Sequence, residues 1–155
     1  MRRSFSLLLV LSITFTSFSF NYPYKRLSKF YGNDNDKCLT LAKRYIKYFP
    51  NNAAPYYYSM SIYFDRAQEE TTPRKKYNQL TKALSFARKF EKANDDEFEA
   101  KMNWEEKASS MNVFTHEVIS ELKAEHLGQL SKQLVSKRKR MKWDKIKKND
   151  VDIEE

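Results

Sequence analysis

Residues 36–52 read DKCLTLAKRYIKYFPNN, and the fold turns on how this stretch is read. Leu39, Ala42, Tyr45, Ile46 and Phe49 recur at intervals of three and four, the spacing that puts side chains on one face of an α-helix. Cys38 lies beside that stripe, while Lys37, Lys43, Arg44 and Lys47 take the other side. Pro50 stops the helix, because it restricts Phe49 to extended backbone and offers no N–H to the hydrogen-bond ladder.

Working outward, Gly32 suits a left-handed cap that ends a short first helix bearing Leu27, Phe30 and Tyr31, and Asp36 is the expected N-cap of the second. A third helix runs from Ala54 to about Glu70, with Pro55 tolerated in its first turn. Its apolar residues (Tyr56, Tyr57, Tyr58, Met60, Ile62, Tyr63 and Phe64) are too many for one stripe, so it should be covered on two sides. A polar loop over Glu69 to Pro73 leads to a fourth helix, about Arg74 to Ala93, with Tyr77, Leu80, Leu84, Ala87 and Phe90 as its stripe. Acids crowd the next start, favourably for a helix N-terminus, and Phe98, Met102, Trp104, Ala108, Met111, Phe114, Val118, Ile119 and Leu122 sustain a helical pattern to about Leu127. Gly128 ends or loosens it, and Leu130, Leu134 and Val135 resume it towards Arg140.

Composition supports an all-α fold. Only two glycines and four prolines occur in 155 residues, which argues against a β-sandwich, a dinucleotide-binding unit or a glycine-rich phosphate loop. Aromatics reach 15%, and tyrosine in particular suits half-exposed surfaces between packed helices. Cys38 is the sole cysteine, so no intrachain disulfide can form, and on an apolar face it reads as a small buried hydrophobe. The formal charge of +9 is concentrated late, with nine Lys or Arg against Asp144 between Lys132 and Lys148.

The first twenty residues have the anatomy of an export signal. Arg2 and Arg3 precede an uncharged apolar run from Phe5 to Phe18, and Ser17 and Ser19 supply small residues for cleavage after Ser19. The run is shorter than the ~20 residues of a comfortable membrane span, with an uncleaved signal anchor as the alternative. The expected organisation is a signal peptide over 1–20, two helix pairs over 21–94, a long C-terminal helix or helices over 95–140 and a charged, unstructured tail over 141–155.

Asp36 to Asn52, closing on Pro-Asn-Asn, resembles the second helix of a tetratricopeptide repeat, and Ala53-Ala54-Pro55-Tyr56-Tyr57 resembles the start of the next. In that family a small residue near the helix start, here Cys38, and an apolar position one turn on, here Ala42, let two helices approach closely. The resemblance implies antiparallel helix hairpins of α-solenoid type, Tyr24 to Phe49 and Ala54 to Ala93. Ser59 and Met60 depart from the family's leucine and glycine, and no Pro-Asn-Asn closes the second unit. Such units do not bury their faces alone, so the long C-terminal helix is expected to cap them. The family lines its concave side with the first helix of each pair, which implies a partner-binding groove along Tyr57, Ser61 and Phe64, with Tyr56, Met60 and Tyr63 in the core. The competing reading buries both stripes, one under the capping helix.

No catalytic residue emerges. His116 and Glu117 resemble part of a metalloprotease helix, but Ser120 stands where the second histidine belongs, and His126 is off that face. Glu105 with Glu106, and Glu121 with Glu125, sit among lysines on polar faces. No metal, cofactor or small-molecule substrate is expected. The basic surface formed by Lys137, Arg138, Lys139, Arg140 and Lys142 suits phosphates, anionic headgroups or an acidic protein, unless it is only a solvated helix end. The sequence therefore predicts an exported, non-enzymatic interaction module or accessory subunit of a bacterial envelope or secreted assembly. It would bind a protein partner through a helical groove, an anionic membrane surface being a further partner and nucleic acid being none. The alternative is a peripheral membrane or polyanion-binding protein acting through its basic C-terminal segment.

Overall fold

The structure, a computed structural model, describes residues 24–93 and 96–141. The expected export signal over residues 1–20 and the tail from Lys142 onward lie outside the described residues. Within them the chain is all-α, with no strand. The helices are α1 (residues 24–30), α2 (Asn35–Tyr48), α3 (Ala53–Glu69), α4 (Pro73–Ala93), α5 (Asp96–Lys101), α6 (Trp104–Ala124) and α7 (Gly128–Lys139).

Local chemistry explains most of the boundaries. Gly32 adopts φ +81° after α1, where a side chain would be strained. The carboxylate of Asp34, rather than Asp36, accepts the Lys37 backbone N–H at 3.0 Å and caps α2. Asp36 lies inside the first turn and pairs instead with Arg66 of α3 at 2.7 Å. Asn52, the last residue of the Pro-Asn-Asn stop, caps α3 by accepting the Ala54 N–H at 3.1 Å. Three residues, 70–72, then join α3 to α4, and a connection that short sets the two helices antiparallel.

α3 is the buried spine. α2 packs on one side of it and α4 along another, and the chain end from α5 to α6 covers a third. Tyr56, Tyr57, Tyr58, Met60, Ile62 and Phe64 are all buried as a result. α4 is next, touching α3, α6 and α7, and its expected stripe of Tyr77, Leu80, Leu84, Ala87 and Phe90 is buried in full. Phe90 is fully buried at the junction, with its ring centroid 4.7 Å from Trp104 and 5.6 Å from Tyr57. Edge-to-face pairs of this kind add about 0.5–1.5 kcal/mol each beyond the area they bury.

The C-terminal region is not one long helix. It breaks at Asn103, which takes left-handed backbone with φ 48°, and again at His126, with φ 59°. Gly128, expected to end or loosen the helix, opens α7 instead. These two corners fold α5, α6 and α7 back over α3 and α4, a path that a straight helix could not follow. Among the described residues no helix is long and apolar enough to cross a membrane.

Candidate anion-binding face

The stripe expected to line a groove does not face solvent. Tyr57 is 7% exposed, Ser61 0% and Phe64 2%. The Tyr57 ring meets Phe98 of α5 edge-on, and its hydroxyl donates to the Met102 carbonyl at 3.3 Å. Phe64 packs against Phe114 of α6 and lies under the Lys107 ammonium. Burial holds the Tyr57 phenol above its ordinary range. This stripe is core in the folded chain, because α5 and α6 cap it. Of the stripe assigned to the core, Tyr63 is the residue left half-buried, stacked flat on Phe86 of α4.

The basic segment fares differently. α7 is held between α4 and α6 by fully buried Leu134, by a 2.7 Å hydrogen bond from the Tyr77 hydroxyl to the Gln133 side-chain Oε1, and by buried Met141 beyond its end. That docking turns Lys137 and Arg140 towards α4. Arg138, one residue round the helix, faces α6, where its guanidinium contacts the His116 ring. Lys139 is exposed, and Lys142 lies outside the described residues.

α4 supplies the opposing wall. Thr81, Ser85 and Arg88 fall at i, i+4 and i+7 on one stripe and meet Lys137 and Arg140 across a cleft of about 150 Å³, with Leu84 and Met141 as its apolar floor. The lining holds three cationic side chains and no carboxylate. Among the described residues no acid pairs with Arg88, Lys137 or Arg140. The surrounding helices reinforce the sign: α4 carries seven Lys or Arg against Glu91, and α7 carries four against no acid. The two helices that pack together here are thus both basic, and a potential of that kind attracts anions over a Debye length of about 10 Å at 0.1 M salt.

The charge of α7 was readable as a run of letters, but its partner wall was not. Thr81, Ser85 and Arg88 look like ordinary polar positions beside the α4 stripe until α7 folds back across them. Their common spacing was the available signal. Among the described residues no group of three or more His, Cys, Asp or Glu is placed to hold a metal ion. No protein-family model, curated protein or solved structure matches this chain.

Proposed function

We propose that this chain is a non-enzymatic helical binding module that attaches to an anionic phospholipid surface through the basic face where α4 meets α7. The observation that carries this is the concentration of Arg88, Lys137 and Arg140 around one cleft with no acid among the described residues to neutralise them. Basic residues near an anionic membrane contribute about 1 kcal/mol each, so the three at the cleft supply about 3 kcal/mol, and the other lysines and arginines of α4 and α7 add to the attraction. The signal-like N-terminus supports a surface in the envelope or outside the cell, and in this reading the two helix pairs serve as a tetratricopeptide-like platform for α4. The Pro-Asn-Asn stop supports that platform reading, as does the burial of Cys38 and Ala42 on α2, where the Cys38 thiol meets the Leu27 carbonyl of α1.

Co-flotation of the full chain with vesicles tests the proposal. Binding to phosphatidylcholine vesicles doped with an anionic phospholipid should be strong at low salt, weaken steeply as salt rises, and be absent with phosphatidylcholine alone. Equal binding to neutral and anionic vesicles, or none to either, would overturn it.

A second reading, capture of a protein partner in the envelope, is favoured by a different patch. Tyr48 and Phe49, at the end of α2, remain 63% and 37% exposed. Capture through them would persist in high salt and be lost in a Tyr48→Ser, Phe49→Ser double variant.

A further inference from the structure

We propose that the cleft between α4 and α7 is a binding site for one phosphoryl group carried as a monoester. The inference rests on the face described above and names the chemistry it recognises. Arg88 reaches in from one wall, Lys137 and Arg140 from the other, so an anion in the middle is met from both sides. A carboxylate is planar and is satisfied by one guanidinium fork. A phosphate monoester is tetrahedral and close to dianionic, and it can present separate oxygens to both arginines and to the lysine at once.

One hydroxyl, that of Ser85, completes the donor set. Thr81 turns its proton back to the Asn78 carbonyl at 3.1 Å and is left with oxygen lone pairs only. Ser85, one turn on and exposed, makes no hydrogen bond to the described residues and is the hydroxyl positioned to donate. The apolar floor strengthens each charged contact by excluding water from beneath the anion, and it also suits the first carbon of an ester. The cleft is open to solvent on one side and takes a headgroup-sized group rather than a whole molecule. The shared chemistry therefore fits either the terminal phosphate of a lipid or a soluble phosphomonoester.

The full chain separates these sources and tests the site. Inorganic phosphate is titrated by calorimetry, and flotation compares phosphatidylcholine vesicles containing phosphatidic acid with vesicles containing phosphatidylserine at matched surface charge. Arg88→Gln is compared with Lys132→Gln, which removes the same charge from an exposed position of α7 outside the cleft. Both positions are exposed, and unchanged far-ultraviolet circular dichroism confirms the fold. Arg88→Gln should weaken phosphate binding about tenfold, the loss of one charge-assisted contact, while Lys132→Gln changes it less than about twofold. Phosphatidic acid should be preferred over phosphatidylserine, and Ser85→Ala should reduce that preference. Equal losses in the two charge variants, or no phosphate binding by the unaltered chain, would overturn the site and leave diffuse attraction by the basic face standing. Phosphate binding with no flotation on either anionic vesicle would support the site, assign it to a soluble phosphomonoester and overturn membrane attachment.

Discussion

Arg138 of α7 lies against the imidazole ring of His116 on α6, so a permanent cation sits beside a titratable one. Partial burial is the larger influence on His116 and the Arg138 charge the second, and both push its pKa below the ordinary 6.5. The folded chain consequently prefers neutral His116. The unfolded chain takes up the proton first as pH falls, so the stability contributed by this histidine is complete above the ordinary pKa and is lost on acidification through it. Urea unfolding at about pH 7.5 and about pH 5.5 should show a fall in stability that His116→Gln reduces. An identical fall in the variant would mean that other groups carry the acid sensitivity.

Cys38 gives the opposite sign. Its thiol is fully buried, donates weakly to the Leu27 carbonyl at 3.5 Å, and is pushed up to about 11 by burial and, secondarily, by the Asp34 carboxylate. A raised pKa keeps the folded thiol protonated, so its contribution is present below the unfolded value of 9.0 and is lost as pH rises through about 11. Ellman's reagent at about pH 8 should leave the native chain unmodified and label one thiol once denaturant is added. Rapid labelling of the native chain would show that α2 does not seal against α1.

These residues also show what was legible in advance. The burial of Cys38, the stop at Pro50 and the α4 stripe depend on neighbours within a few positions, and periodicity reports those directly. Asp34 and Asp36 could each have capped α2, because both precede the apolar stripe, and only the folded geometry separates them. The left-handed corners at Asn103 and His126 carried no glycine to announce them. The corner at Asn103 sends α6 back across Tyr57 and Phe64 and so buries the expected groove, and the corner at His126 returns α7 across α4. The phosphoryl cleft was hidden for the same reason, since its two walls lie far apart in sequence and meet only after both corners are made.

Phe90 should be among the most sensitive core positions. It is fully buried and touches the rings of Tyr57 on α3, Phe98 on α5 and Trp104 on α6, so one side chain joins four helices. Phe90→Ala removes a ring that rigid neighbours on every side cannot fill by collapse, and it should cost about 3–5 kcal/mol. Denaturant unfolding would show this as a lower midpoint with an unchanged slope. Phe90→Leu should lose less, because it keeps most of the apolar volume. A loss below about 1 kcal/mol for the alanine variant would be typical of a surface site rather than a core one, and it would show that α5 and α6 do not close over α3 and α4.

Asn103 tests the corner that brings those helices together. Its backbone is left-handed at φ 48°, between the end of α5 and the start of α6, and its side chain makes no cap hydrogen bond. Asparagine tolerates this region better than most residues, yet glycine enters it with no Cβ clash. Asn103→Gly should therefore leave stability unchanged or raise it slightly. Asn103→Val places a β-branched side chain in a disfavoured conformation and should cost about 1–2 kcal/mol. Thermal unfolding of the two variants side by side measures the difference. If valine were tolerated as well as glycine, α5 and α6 would have to run on as one straight helix, and Tyr57 and Phe64 would then be uncovered.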